Sequence, residues 1–254
     1  MKPLVSLLIP VRNDEKYLAE AIKSIRRQRY KKLEIVAIDD KSTDSSYRIL
    51  QTFKKKDKRI RIYRNVKNYG TIMTLNRLVR KAKGDYIGFT SARDILHKDR
   101  IKKQVKYFAK NPEVVALGTQ CIFVNRKNRK IEQSEFPLNN KNIYDNSPLH
   151  GLSMQFETVL INRNLLPKDI MRFDDNFKPF VYTNFLVKLL PYGKFENLND
   201  FLHRHRKHPQ VYLEDLKKHA FSLAKFWIIG SPEYNFRTSL RILFSSIITP
   251  LRTG

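Results

Sequence analysis

The chain is poor in the residues that cross-link or punctuate a fold. Its 254 residues include one cysteine, one tryptophan and eight glycines. A single thiol excludes an internal disulfide. Cys121 lies inside the apolar run VVALGTQCIFV, so it reads as a buried structural thiol in a reducing compartment. Long apolar runs are missing too. No segment reaches the roughly 18 uninterrupted apolar residues of a membrane span. The N-terminal PLVSLLIPV is short, contains Pro10 and lacks a small-residue cleavage site, so it reads as a first strand and not as a signal peptide. Negative charge is scarce: 24 acidic residues face 50 basic ones, a net charge of +26. That excess predicts attraction to polyanions or phosphorylated substrates and leaves the fold open. Apolar side chains are plentiful, and 41% hydrophobic with 11% aromatic residues is the composition of a domain with a full core.

Strand and helix signals alternate through the first half. LVSLLIP is a continuous apolar run, as in a strand covered on both faces, and Leu18, Ala21, Ile22 and Ile25 follow at helical spacing. LEIVAI then precedes a helix near STDSSYRIL, where Ser42 or Thr43 can cap and Asp44 suits the first turn. RIRIY leads through NVKNYG to a helix over about 71–82, which Gly84 ends before the strand DYIGF. A βαβ series predicts a mainly parallel, Rossmann-like α/β sheet with helices on both faces. A basic helix is expected at 98–110, and EVVALGTQCIFV and RKIEQSEF flank NRKN as a hairpin. The second half is irregular up to HRHRKHPQ. Helices are expected over 213–229 and 236–251, the second with an apolar stripe from Phe236 to Leu251.

In open α/β sheets, ligands bind beyond the carboxyl ends of the strands, here at PVRND, DDKSTD and TSARD. Read together with NYGTIMTLNRLVRKAKGDYIGF, these loops resemble the nucleotide-binding half of the inverting family 2 glycosyltransferases, which have the GT-A fold. The resemblance runs from residue 4 to about 105, carried by Pro10, Asn13, Gln28, Asp39, Asp40, Ser42, Asp44, Asn68, Gly70, Asn76, Ala82, Gly84 and Asp85. It continues more weakly to about 209 through RFDDNF and HRKHP. It implies transfer of a sugar from a nucleotide-diphosphate donor to a glycan or lipid-linked acceptor. Pro10, Asn13 and Asp40 would surround the base and ribose, with Asp40 accepting a hydrogen bond from the base edge. Asn68 and Asn76 would help to close the site. Arg12 stands in a slot the family usually fills with an aromatic residue, so its guanidinium would stack on the base.

The chain departs from this pattern in two places. The family's D-x-D metal motif falls on Ser91, Ala92 and Arg93, and only the adjacent Asp94, counted among the donor-binding residues, is acidic. Magnesium and manganese prefer charged oxygen ligands, so no tightly held metal is expected. A fixed arginine can also stabilise a departing diphosphate, and Arg93 stands where that cation is needed. Arg206 and His208, matching the family's R-x-H, would form a second clamp. A zinc site on His203, His205 and His208 lacks further ligands at suitable spacing. The family's general base comes from an E-D pair that falls here on Val181 and Tyr182, and a tyrosine with a reference pKa of about 10 is a poor base near neutrality. Asp174 and Asp175 are the candidate substitutes.

The sequence therefore predicts a glycosyltransferase-like domain over 1–210, with a nucleotide-binding half (1–110) and an acceptor half (111–210). An amphipathic helical segment over 211–254 would follow, through which an oligomer or a partner glycosyltransferase could dock. The enzyme would work without a tightly bound metal, in the cytoplasm, peripheral at the anionic inner face of the membrane. The alternative is a noncatalytic relative acting as a scaffold. The basic runs KKKDKRIRIYR and NRKNRK lie on separate elements without a docking motif, so nucleic acid is not an expected partner.

Overall fold

The computed structural model describes residues 2–143, 152–177 and 180–207. The expected segment 211–254 and His208 lie outside the described residues. The first half follows the βαβ expectation: β1 (Val5–Val11), α1 (Glu15–Arg26), β2 (Leu33–Asp39), α2 (Ser46–Lys56), β3 (Ile60–Arg64), α3 (Thr71–Lys81) and β4 (Tyr86–Phe89). Then come β5 (Ile95–Leu96), α4 (Arg100–Phe108), β6 (Val114–Val124), β7 (Lys130–Gln133), β8 (Leu160–Asn162), α5 (Val181–Val187) and β9 (Lys194–Arg206).

The strands form one sheet in the order β3-β2-β1-β4-β8-β6-β9-β5, with β7 paired to β6. The first four are parallel. The second half mixes directions, because β8 runs antiparallel to β4 and β6 while β9 lies parallel to β6. This is the mixed α/β architecture of a GT-A domain. The continuous apolar runs are explained by cores on both faces. Leu8, Val36 and Ile38 pack with Leu75 and Leu78 of α3 on one face; Leu7, Ile9, Ile35 and Ala37 pack with Leu18 and Ile22 of α1 on the other.

β9 is the main departure from expectation. HRHR lies in a thirteen-residue strand, and its alternation of imidazole and guanidinium groups masks the strand period in the sequence. The start of α2 also differs. Neither Ser42 nor Thr43 caps it. Asp44 instead accepts from Ser46 N (2.9 Å) in α2 and from Glu15 N (3.0 Å) in α1, so one carboxylate joins two helix N-termini. Burial raises the Asp44 pKa, but the hydrogen bonds from Ser46 and Glu15 outweigh it and hold the carboxyl below its ordinary range. Among the described residues, no helix is long and apolar enough to cross a membrane.

Candidate active site

The loops after β1, β2 and β4 meet at the carboxyl edge of the parallel strands, tied together by side chains reaching from one loop to another. Asn13 adopts a left-handed backbone (φ 51°), which asparagine tolerates better than most residues. Its Oδ1 accepts from Thr43 N (2.9 Å), and its own N–H donates to Ser42 Oγ (3.1 Å). Arg12 reaches across to the Asp40 carbonyl (3.1 Å). Asp40, nearly buried, accepts from Asn65 Nδ2 (2.6 Å), Tyr69 N (2.9 Å) and Gly70 N (2.8 Å), so it shapes the loop that leads into α3. That loop turns at Gly70, whose φ of +82° favours glycine, and Asn68 Oδ1 accepts from Gly70 N (3.1 Å).

The TSARD loop follows β4. Ser91 Oγ accepts from Arg93 N (3.1 Å) and shapes the turn. Arg93 then places its Nε on Asp14 Oδ1 at 2.6 Å, while its side chain stays 40% exposed. The next residue points the other way. Asp94 is 1% exposed and accepts from His203 Nε2 (2.9 Å), His205 Nδ1 (3.0 Å) and Arg206 N (3.0 Å), fastening the loop to β9. Arg100, fully buried, approaches His203 Nδ1 at 3.0 Å. A guanidinium can only donate, so Nδ1 accepts and the His203 proton sits on Nε2, aimed at Asp94. Burial lowers the His203 pKa and keeps the ring neutral. Burial also works against a charged His205, but its bond to Asp94 prevails and raises its pKa.

Asp94, His203 and His205 bring their ligand atoms within 4.8 Å of one another, a spacing that a metal ion could span. The hydrogen-bond pattern opposes that use. The two ring protons point at the carboxylate, and a cation there would sit beside the Arg100 guanidinium. A hard dication finds no better support in Ser91, Ala92 and Arg93, which supply no carboxylate. The residues present do not fit the family's metal.

Beside this loop opens a cavity of about 720 Å³. Pro10, Arg12, Asp40, Asn68, Arg93 and Arg206 all line it, so the structure brings together six of the residues proposed from the sequence. Asp94 lies behind its wall, and Asn13 faces an adjoining hollow of about 260 Å³. Arg206 is at the cavity but is committed elsewhere. Its side chain is 4% exposed and donates to the carbonyls of Arg93 (3.1 Å), Asn125 (3.0 Å) and Arg126 (3.0 Å) and to Glu20 Oε2 (3.1 Å). The geometry makes it a tie that fixes the Arg93 backbone. Asp14, Thr90, Phe156, Glu157, Tyr182 and His205 also line the cavity. Thr90 Oγ1 is buried with no protein partner among the described residues.

Asn76, Asp174 and Asp175 lie elsewhere, around a second cavity of about 910 Å³ that shares Gly70 and Thr71 with the first. Asp174 accepts from Asn176 N (3.0 Å) in a turn, so the structure does not bring this pair to the arginines. Asn76 binds both polar groups of the Phe173 backbone, donating to O at 2.9 Å and accepting from N at 2.8 Å. Asn76→Ala leaves a partly buried N–H and C=O unpaired, at about 1–3 kcal/mol for each group. Urea unfolding is expected to show this loss, with a smaller change in ligand affinity because Asn76 does not face the first cavity.

A parallel nucleotide-type half, a mixed second half and a cation-lined cavity at the strand ends define a GT-A-like transferase. The family model described as glycosyl transferase family 2 matches residues 6–168, and the chain belongs to that family. It is 33% identical over 184 residues to an uncharacterized glycosyltransferase of Haemophilus influenzae, covering 72% of this chain and 71% of the relative. Other Haemophilus and Rickettsia relatives are longer, and the chain spans 28–46% of their length. Among solved structures, S. aureus TarS 1–349 in complex with UDP-GlcNAc superimposes with a TM-score of 0.73 at 18% identity, over 96% of this chain and 71% of that one. A mannosyltransferase from Pyrobaculum calidifontis in complex with GDP-Man and Mn2+ gives 0.64 at 16% identity, over 97% and 69%. The protein is a glycosyltransferase.

Proposed function

We propose that the chain transfers a sugar from a nucleotide-diphosphate donor to a glycan or lipid-linked acceptor by direct, inverting displacement. The donor's diphosphate is held by an arginine instead of a divalent cation. The observation that carries this reading is Arg93, at the position of the family's metal motif, held by Asp14 at 2.6 Å on the wall of the 720 Å³ cavity. Leaving-group charge that a dication would offset is met by a planar cation whose position is fixed before the donor arrives. The nucleotide-sugar complexes of the two structural neighbours support a donor of this class. The aromatic wall of Phe156 and Tyr182, with ring centroids 4.6 Å apart, offers an apolar face for a sugar ring.

Isothermal titration with UDP and with GDP tests the reading. At least one nucleotide is expected to bind in EDTA with the affinity it shows in manganese. Binding that requires manganese would sink metal independence.

A further inference from the structure

Inverting displacement needs a carboxylate to take the acceptor's proton, and the position where the family supplies it holds Tyr182. Burial, reinforced by the negative charge of Glu157, pushes the Tyr182 hydroxyl up to about 12, so it stays protonated and cannot serve as a base near neutrality. Among the described residues, three carboxylates line the cavity: Asp14, Asp40 and Glu157. Two are engaged. Asp14 holds Arg93 Nε and accepts from Arg12 N (3.1 Å), and Asp40 organises Asn65, Tyr69 and Gly70. Among the described residues Glu157 instead accepts one side-chain hydrogen bond, from Gln155 Nε2 at 2.5 Å, which leaves lone pairs for a substrate hydroxyl.

The backbone fixes that carboxylate well. Glu157 is the middle residue of a single 3-10 turn, Phe156–Thr158, and both neighbours are anchored. Phe156 is buried and stacks on Phe89 at 5.0 Å. Thr158 is fully buried; its Oγ1 donates to the Gln155 carbonyl (2.7 Å) and accepts from Thr119 N (3.2 Å), and its carbonyl accepts from Gln104 Nε2 (2.9 Å). A residue whose backbone is anchored on both sides presents its side chain from a fixed place, which is what positioned proton transfer requires.

We infer that Glu157 is the general base of this transferase, supplied from the turn before β8 in place of the missing carboxylate at the start of α5. The inference rests on the glycosyl-transfer reading above. The acceptor hydroxyl oxygen bonds to the donor's anomeric carbon. The bond from that carbon to the diphosphate oxygen breaks, and its electron pair leaves with the nucleoside diphosphate beside Arg93. The hydroxyl proton passes to Glu157. When water takes the acceptor's place, the same step is donor hydrolysis.

The test uses the full chain with a panel of UDP- and GDP-sugars, following nucleoside diphosphate release together with UDP and GDP affinity by titration. Glu157→Gln is expected to keep nucleotide affinity and the unfolding midpoint while release falls about 10²- to 10⁴-fold, the contribution of a positioned acid or base. Glu157→Asp, which keeps a shorter carboxylate, falls between the two. Wild-type turnover in Glu157→Gln would overturn the assignment, as would a fall in affinity and unfolding midpoint that accounts for the lost rate. So would a loss of turnover confined to Asp174→Asn or Asp175→Asn. A wild-type chain that binds neither nucleotide and releases none from any donor would overturn the transferase reading itself, and the base with it.

Discussion

Arg93→Ala is expected to weaken nucleoside diphosphate binding about 10- to 100-fold, the equivalent of one hydrogen bond to a charged group at about 1.5–3 kcal/mol. Turnover is expected to fall further, about 10²- to 10³-fold, because charge on the departing diphosphate grows in the transition state. The variant also uncovers a neighbour. Asp14, whose carboxylate is paired to Arg93 and lines the same cavity, would face the diphosphate as an unpaired anion. Adding Asp14→Asn should therefore recover part of the lost affinity, a non-additivity that a double-mutant cycle reads directly. Arg93→Lys should recover less than a charge count suggests, because a lysine gives a point charge and not a planar fork. Titration of the four variants in EDTA checks each statement. An Arg93→Ala affinity equal to wild type would overturn the arginine-for-metal reading.

Asp94→Asn is expected to be the most damaging single change to the fold of the site. It leaves His203, His205 and the Arg206 N–H without the anion they bond, and an asparagine amide must turn its NH2 towards at least one N–H that now points at Asp94. Breaking a buried pair by removing one partner costs about 3–5 kcal/mol. At about 2–4 °C per kcal/mol for a chain of this size, the unfolding midpoint should fall by roughly 6–20 °C.

The pH dependence has a definite sign. Burial opposes ionisation of Asp94, but the hydrogen bonds from His203 and His205 outweigh it and hold the carboxyl far below its ordinary range. Its contribution is thus full above about pH 4, the unfolded carboxylate value, and is lost as pH falls towards the folded value. His205, with a raised pKa, adds stability below about pH 6.5 that is lost as pH rises through its folded value. His203, with a lowered pKa, has the opposite sense and loses stability as pH falls below about 6.5. The difference between wild type and Asp94→Asn should therefore be largest between about pH 4 and 6.5, narrowing below that window as Asp94 is protonated and above it as His205, whose pKa Asp94 raises, loses its proton, as urea unfolding across pH would show.

The sequence by itself determined the parallel half, because contiguous apolar runs and helical spacing are local patterns. It also pointed to the loops that line the candidate cavity: strand ends can be counted along the chain, and Arg93 stands visibly where carboxylates are expected. Tertiary structure decided what each polar side chain does there. Asp94 meets His203 across 109 residues, Arg206 meets the Arg93 carbonyl across 113, and Asn76 meets Phe173 across 97. These partnerships turn three residues proposed as ligand contacts into ties that hold the walls. Glu157 carried no motif to nominate it, since FETVLINR reads as an ordinary strand approach. Its place on the cavity comes from β8 pairing between β4 and β6, which brings the turn before it beside Tyr182. Spacing along a chain reports which face of an element a residue occupies, whereas the partner on the far side of a cavity is set by strand order, which pairs residues a hundred positions apart.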